Sequence, residues 1–283
     1  AESQGFDKDI CLAMSEHYLP SGLDSKTPKK PFSIALALTD KIDTLVGFFG
    51  INQKPTSSKD PYALRRAALG VIRLIVDNKK EFKLKDLINY SISLYREQEL
   101  KIFNEFLKKE LTDFLLDRLK YYMREKKIRA DIIEASINSY GINNISKIYQ
   151  KALALNNVIN KQVGNDIILI YKRASSILDT ELKDKQLELS NTADPAIFKN
   201  EFEKNLLKKI NQLRKYFSSI NKDEDYDQSL GKLADTKKVI FEFFDNVKVN
   251  DGDKNIKKNR LELLQMFCKT FDNYINFSSI ESN

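Results

Sequence analysis

Apolar residues recur every three or four positions along almost the whole chain, and this helical period is the feature that most constrains its fold. No stretch alternates apolar and polar residues for long enough to predict a strand. The nine glycines and six prolines are also few for a β protein. We therefore predict an all-α chain that ends in an antiparallel helical bundle. The clearest stripes are Leu38, Ile42, Leu45 and Phe49; Leu64, Ala68, Val71 and Ile75; and Leu261, Leu264, Cys268, Phe271 and Ile275.

Two Asp-Pro pairs predict where helices begin, because Asp caps free backbone N–H groups and Pro suits the first helical position. Asp60 and Pro61 are expected to start a helix that continues to Ile75. Asp194 and Pro195 are expected to start another in the same way.

Three further segments have a clear sequence pattern. Residues 20–30 are predicted to form a loop, because they are rich in Pro, Ser, Lys and Gly. Residues 6–18 are predicted to form a helix, and residues 226–247 to carry one continuous apolar stripe. The first of these helices has Ile10, Met14 and His17 or Tyr18 on one side, and the stripe is formed by Tyr226, Leu230, Leu233, Ile240, Phe244 and Val247.

Positive charge is concentrated in the first half of the chain. The 283 residues include 47 Lys and Arg and 40 Asp and Glu, a formal net charge of +7. Residues 1–155 contain 26 of the basic and 20 of the acidic side chains, a net charge of +6, and residues 156–283 contain 21 and 20. A basic protein favours a polyanionic partner, so we expect phosphate binding mainly in the first half.

Three of the ten arginines, Arg65, Arg66 and Arg73, fall within nine positions. On a helical wheel Arg66 and Arg73 lie opposite the apolar stripe, with Arg65 at its flank. A guanidinium group offers a rigid fork of donors that matches phosphate, whereas Lys offers a point charge. These three arginines are therefore our candidates for phosphate contacts. The alternative is that this helix packs its apolar face into the core and that the arginines on the opposite face are merely exposed to water.

Patterns for catalysis, metal binding and membrane insertion are absent from the sequence. One His and two widely separated Cys provide neither a zinc-binding spacing nor a redox pair, which makes a reducing cytosol the default location. Asp40 resembles the last Asp of metal-dependent HD-type phosphohydrolases, but the pair of His that would complete that site is missing. No Gly-rich phosphate loop, nucleophile elbow or run of ~18 apolar residues occurs. We expect no bound metal, no self-sufficient catalytic centre and no membrane span.

The segment ALTDKIDTLVGFFGINQKPTSSKDPYALRRAALGVIRLI, residues 37–75, closely resembles the β subunit of bacterial heterotetrameric glycyl-tRNA synthetases. Three other segments agree with that family in order and spacing: EHYLP at 16–20, YKRASSIL at 171–178 and FFDNVKVNDGDKNIKKNRLELL at 243–264. The chain departs from the family at Tyr171 and Ser176, where Asn is more usual. The resemblance spans nearly all of the chain and implies the C-terminal portion of that subunit.

The resemblance implies three regions and a binding role. Residues 1–80 would be the C-terminal part of a degenerate HD-like domain, residues 81–155 a helical middle region, and residues 156–283 an anticodon-binding bundle of the DALR type. In that family the separate α subunit binds ATP, with Mg, and attaches glycine to the tRNA. This chain would bind glycine tRNA within a cytoplasmic α2β2 assembly, with no catalytic residue and no cofactor of its own.

The same resemblance suggests which side chains contact the tRNA. Glycine anticodons share two adjacent cytosines, which present acceptors to Arg and Lys donors. Lys172, Arg173 and Arg260 are the candidates for these contacts, although Arg260 could instead pin the last helices together. Arg65, Arg66 and Arg73 would contact the tRNA backbone or another part of the enzyme. Two rival functions are a helical scaffold that docks the α subunit with little RNA contact, and an HD-type phosphohydrolase, which the single His disfavours.

Overall fold

A computed structural model describes residues 2–98, 106–183, 188–219 and 225–281. Within these ranges all regular elements are helical and no strand occurs, which confirms the all-α prediction. No helix in them is long and apolar enough to cross a membrane. The α-helices are α1 (Lys8–Glu16), α2 (Pro31–Gly50), α3 (Leu64–Val76), α4 (Leu84–Glu97), α5 (Leu107–Glu125), α6 (Ala130–Tyr140), α7 (Ile145–Val158), α8 (Gln162–Leu182), α9 (Glu201–Ser219), α10 (Tyr226–Ala234), α11 (Lys237–Asn246) and α12 (Lys254–Asp272).

The chain divides into two compact units. The N-terminal unit consists of residues 1–128 and 140–149, and the C-terminal unit of residues 129–139 and 150–283. This differs from the expected three regions, because most of the predicted middle region folds together with residues 1–80. The physical reason is that α5 packs against α3 and buries its apolar stripe there.

The core of the N-terminal unit is built from α2, α3 and α5, which pack against one another in all three combinations. Both stripes that the sequence predicted in this region are buried, with relative exposures of 6% or less. Such burial supplies most of the driving force for packing the helices, at roughly 25 cal/mol per Å² of apolar surface. The buried side chains are Leu38, Ile42, Leu45 and Phe49 of α2; Leu64, Ala68, Val71 and Ile75 of α3; and Leu111, Leu115 and Leu119 of α5.

In the C-terminal unit α8 and α12 pack side by side and antiparallel. Tyr171 near the middle of α8 contacts Asp272 at the end of α12, and Glu181 at the end of α8 pairs with Lys257 at the start of α12. Helices α9 and α11 pack against this pair and each other. The core is unusually aromatic, and its fully buried rings are Phe243, Phe267, Phe271, Tyr274 and Phe277.

Both helix starts predicted from Asp-Pro pairs are displaced towards the C-terminus. Helix α3 begins at Leu64, because Ala63 has a left-handed backbone conformation (φ 53°) that a helix cannot include. Asp60 still caps the helix: its carboxylate accepts hydrogen bonds from the backbone N–H of Leu64 at 2.8 Å and of Arg65 at 3.0 Å. In the second case Pro195 begins a single 3-10 turn, and α9 starts only at Glu201.

The expected stripe of residues 226–247 is interrupted, since α10 ends at Ala234 and α11 begins at Lys237. The buried Thr236 at this break donates its hydroxyl hydrogen to the carbonyl oxygen of Leu233 at 2.7 Å. The break changes which side of the next helix faces the core. As a result Phe243 is fully buried, and the predicted core residue Phe244 is only partly covered.

Helix α1 also differs from the sequence interpretation. Ala13 is its buried residue, and the predicted apolar side faces outward, with Ile10 40%, Met14 54% and Tyr18 73% exposed.

Candidate nucleic-acid interface

A groove of about 790 Å³ runs between α8 and α12 in the C-terminal unit. Basic and polar side chains line its edges, and Tyr171, Cys268 and Asp272 contribute to its lining. We call it the α8–α12 groove. Two of the three residues predicted to contact bases, Lys172 and Arg173, lie on it.

Arg173 is held at the edge of the groove by aromatic stacking. Its guanidinium carbon lies 4.4 Å from the ring centroid of Phe244 and 5.3 Å from that of Phe241. The ion pair with Asp245 is long, at 3.9 Å, and both side chains are well exposed, so it contributes little. Stacking orients a guanidinium plane without using its N–H donors. Arg173 therefore presents a pre-oriented fork of donors to solvent.

Two lysines add positive charge to the groove. Lys172 is partly buried, and its Nζ is 3.5 Å from the carbonyl oxygen of Ser278, at the limit of a hydrogen bond. The Nζ of Lys269, on α12, donates to the side-chain oxygen of Asn191. An ammonium group has three donors, so one contact leaves capacity for a ligand. The edges of the groove can thus bind acceptor atoms or anions.

The lining of the groove also contains titratable groups that hold the helices together. The hydroxyl group of Tyr171 donates to Asp272 at 3.3 Å, and the backbone N–H of Phe277 donates to the other carboxylate oxygen at 3.2 Å. Burial raises the pKa of Asp272 above its usual value, although these two hydrogen bonds oppose the shift. Burial also raises the pKa of the Cys268 thiol, which therefore stays protonated and unreactive. These groups stabilise the groove and offer no activated nucleophile.

Arg260 lies elsewhere, and this corrects the expectation that it contacts an RNA base. Its side chain is only 6% exposed. Its Nε donates to Glu203 at 2.7 Å, and its Nη1 donates to the carbonyl oxygen of Lys248 at 2.9 Å and to Asp251 at 2.7 Å. The alternative role, pinning the last helices together, is the one that these contacts support.

The three arginines of the N-terminal unit do not form a shared phosphate site. Arg73 is 8% exposed, and its guanidinium donates to the carbonyl oxygen of Gly22, to Thr27 at 2.9 Å and to Asp77 at 2.9 Å. Its donors are consumed in tying the loop of residues 20–30 to α3, so the expected phosphate contact by Arg73 is corrected to a structural role.

Arg65 and Arg66 differ from Arg73 in accessibility. Arg65 is partly buried, and its Nη2 donates to the carbonyl oxygen of Thr56. Arg66 is exposed, and within the described part of the chain no hydrogen bond or ion pair engages it. Of the three candidates, Arg66 is therefore the one whose full set of donors faces solvent.

The structure reveals two groups of lysines that the sequence interpretation did not select. On α9, Lys204, Lys208 and Lys215 lie along one side of a shallow cleft of about 540 Å³. Their spacing of four and seven residues places them on one helix face, which the sequence could have indicated. They were not singled out because lysine is abundant throughout the chain. A second cleft, of about 380 Å³, is lined by Lys85, Lys108 and Lys109 of α4 and α5.

Within residues 2–98, 106–183, 188–219 and 225–281, no group of three or more His, Cys, Asp or Glu side chains could hold a metal ion. The ring Nδ1 of His17, the single histidine, lies 2.7 Å from the carbonyl oxygen of Met14.

Comparisons with known proteins agree with the sequence resemblance. Residues 1–138 match the family model described as glycyl-tRNA synthetase beta subunit, and residues 167–281 match the DALR anticodon binding domain. The α8–α12 groove lies within the second match. The chain is 35% identical over 280 residues to the glycine–tRNA ligase beta subunit of Rickettsia africae, covering 99% of this chain and 40% of that protein. It is 34% identical over 281 residues to the same subunit of a Ruegeria species, covering 99% of this chain and 39% of the relative. The chain thus spans about 40% of the length of the curated relatives that it matches.

Proposed function

The chain belongs to the glycyl-tRNA synthetase β-subunit family, and from this membership we propose that it is the part of a glycine–tRNA ligase that recognises glycine tRNA. The observation that carries the proposal is the exposed guanidinium of Arg173. It is stacked on Phe244 and lies beside Lys172 in the region that matches an anticodon-binding domain.

The chemistry of an anticodon fits this groove. Anticodon bases are single-stranded, so they can be splayed out and contacted at their edges or faces. Cytosine presents its carbonyl oxygen and ring nitrogen as acceptors, and Arg173 and Lys172 offer donors with little competition from other protein groups. Arg66 and the lysines of α9 would add sequence-independent contacts to phosphates. The proposal therefore separates base contacts in the α8–α12 groove from phosphate contacts elsewhere.

We further propose that bond formation takes place on another polypeptide. In this scheme the α subunit binds ATP with Mg and attaches glycine, within an α2β2 assembly in the cytoplasm. The chain described here contributes selection of the tRNA, and it uses no cofactor of its own.

A binding measurement tests this proposal. Fluorescence anisotropy with the purified chain and labelled glycine tRNA should give saturable binding that weakens as salt concentration rises. A tRNA with both shared anticodon cytosines replaced by uracil should bind more weakly at the same salt concentration. Equal binding of the two RNAs, or no binding to either, would contradict the proposal.

Exposed apolar residues of the N-terminal unit favour a second candidate function, docking of the α subunit. Ile10, Met14 and Tyr18 are exposed on or directly after α1, and Phe32 and Leu36 are exposed in the first turns of α2, at 61% and 41%. Exposed large apolar side chains in such number are typical of protein interfaces. If they dock the α subunit, the I10K/M14K variant should lose co-purification with that subunit and keep its affinity for glycine tRNA. Unchanged co-purification would assign this surface another role.

A further inference from the structure

Asp179 is one of two acidic residues that line the α8–α12 groove, and the other, Asp272, is partly buried and accepts from Tyr171 and Phe277. Asp179 lies on the same face of α8 as Lys172, seven residues later, which corresponds to about 10.5 Å along the helix. The side chain of Asp179 is exposed, and within the described ranges no hydrogen bond or ion pair engages its carboxylate. Asp179 therefore offers two free acceptor oxygens at one end of the groove.

This carboxylate does not suit a surface that binds only phosphate. Lys172, Arg173 and Lys269 at the edges of the groove are cations that attract an RNA backbone, whereas the carboxylate of Asp272 is already engaged by Tyr171 and Phe277. A negative charge among them repels phosphate and lowers the general affinity for RNA. Its acceptors are useful instead for a ligand that carries N–H donors beside its own acceptors.

Three groups along α8 offer the kinds of hydrogen bond that the edge of one particular base requires. Lys172 offers donors, the exposed hydroxyl of Ser176 can donate or accept, and Asp179 accepts. Cytosine presents a carbonyl oxygen, a ring-nitrogen acceptor and an exocyclic amino donor in that order. Uracil instead has a ring N–H and a carbonyl oxygen in place of the last two groups, so its carbonyl would face the carboxylate.

We propose that Asp179 is the acceptor that selects cytosine over uracil in the α8–α12 groove. This inference rests on the proposed function, because it takes the ligand of the groove to be an anticodon. The carboxylate accepts from the exocyclic amino group of cytosine, while Lys172 and Arg173 donate to the acceptors of the same or the neighbouring base. Cations bring the RNA to the groove, and the exposed carboxylate of Asp179 distinguishes the bases.

The D179N variant gives a sharp test, because asparagine keeps the size of the side chain and adds a donor that can serve uracil. Binding of the full 283-residue chain to labelled anticodon stem-loops is measured, with the shared cytosines either present or replaced one at a time by uracil. The wild-type chain should prefer cytosine at one of the two positions by about tenfold or more. In D179N this preference should fall to about threefold or less, mainly because the uracil form binds more tightly.

The control variant is D227N, which removes an exposed carboxylate of α10 that does not line the groove. Loss of a negative charge strengthens phosphate binding for all RNAs alike, so the ratio of affinities for cytosine and uracil isolates the effect on base selection. D227N should leave this ratio unchanged. If the wild-type chain prefers cytosine and D179N keeps the full preference, the role of Asp179 is overturned and the proposed function stands. If the wild-type chain shows no preference, both are overturned.

Discussion

Arg260 and Glu203 form an ion pair that is almost completely enclosed in the C-terminal unit. The Nε of Arg260 lies 2.7 Å from Oε1 of Glu203, and the two side chains are 6% and 1% exposed. The second carboxylate oxygen of Glu203 accepts from the backbone N–H of Asn200 at 3.0 Å, and the Asn200 side chain accepts from the N–H of Glu203 at 3.1 Å. This reciprocal pair is a capping box at the start of α9. The ion pair thus ties α12 to the first turn of α9.

Replacing Arg260 should therefore affect folding before it affects RNA binding. In R260M the carboxylate of Glu203 would stay buried without its partner, and such a loss costs about 3–5 kcal/mol. The free energy of unfolding, measured by urea denaturation and circular dichroism, should fall by about that amount. The E203Q/R260M double variant should recover part of the loss, because the buried charge at position 203 is removed together with its partner. Normal stability of R260M with weakened anticodon binding would instead restore Arg260 as an RNA contact.

Arg66 should act on RNA binding without affecting stability. Its side chain is exposed and unpaired within the described residues, so R66A should leave the free energy of unfolding within about 0.5 kcal/mol of the wild-type value. If Arg66 contacts a tRNA phosphate, R66A should reduce the slope of log affinity against log salt concentration by about one. R66K keeps the charge and should retain most of the slope. A slope in R66A equal to that of the wild-type chain would exclude the phosphate contact.

The arginines of α3 illustrate which features a sequence pattern can predict. The period of apolar residues correctly predicted that Leu64, Ala68, Val71 and Ile75 are buried, because helical period depends only on neighbouring residues. The same wheel placed Arg66 and Arg73 on one face, yet only Arg66 is exposed. The partners of Arg73 in the loop of residues 20–30 lie about 50 residues earlier in the chain. A pattern of neighbouring residues cannot predict a contact over that distance.

For the candidates for base contacts, too, the sequence could not predict which side chains tertiary packing buries. The YKRASSIL segment predicted base contacts by Lys172 and Arg173, and the structure brings both residues to a groove, where the contacts stay a prediction. Arg260 belongs to an equally basic segment, but its side chain is buried and donates to Glu203, which lies 57 residues earlier in the sequence. No sequence pattern marks Asp179, because its charge is opposite to the one that nucleic-acid binding favours.

Arg173 should determine discrimination at the anticodon more than overall affinity. R173A removes a fork of donors, and the loss of a good base contact costs about 1–3 kcal/mol of discrimination. The measured quantity is the ratio of affinities for stem-loops with and without the two shared cytosines. R173K should keep the salt dependence and lose most of the discrimination, because an ammonium group lacks the planar fork. A proportional loss of affinity for both stem-loops in R173A would indicate a phosphate contact instead.

Removing the nearer of the two aromatic partners of Arg173 should have a smaller effect of the same kind. Phe244 is partly buried and lies 4.4 Å from the guanidinium carbon, so F244L keeps an apolar side chain and removes the stacking face. The freed side chain must then be ordered on binding, which costs about 0.5–1.5 kcal/mol. F244L should therefore weaken binding of the cytosine stem-loop without changing its salt dependence. Wild-type affinity in F244L would show that Arg173 does not depend on pre-orientation.

The ion pair of Arg73 with Asp77 should make the stability of the N-terminal unit depend on pH. Burial tends to raise the pKa of Asp77, but hydrogen bonds from Thr27 and Tyr122 and the charge of Arg73 outweigh it and hold the pKa below its usual value. A carboxylate with a depressed pKa in the folded state contributes stability above its unfolded pKa of about 3.9. That contribution is lost as pH falls through the folded value, because protonation removes the favourable contacts.

The D77N variant should therefore differ from the wild-type chain at neutral pH and approach it in acid. At pH 7 we expect D77N to lower the free energy of unfolding by about 1–3 kcal/mol, the range for hydrogen bonds to charged groups. Below about pH 4 the difference should shrink, because the unfolded wild-type chain then takes up a proton at Asp77, and the folded chain does so at a lower pH still. Other carboxylates titrate in the same pH range. The free energy of unfolding is therefore measured by urea denaturation for both proteins at each pH, and the difference between the two values is compared. The control is D113N, which replaces an exposed carboxylate of α5 and should differ from the wild-type chain by the same small amount at every pH. If the difference in free energy of unfolding between D77N and the wild-type chain stayed constant from pH 7 to pH 3, the role given to Asp77 would be refuted.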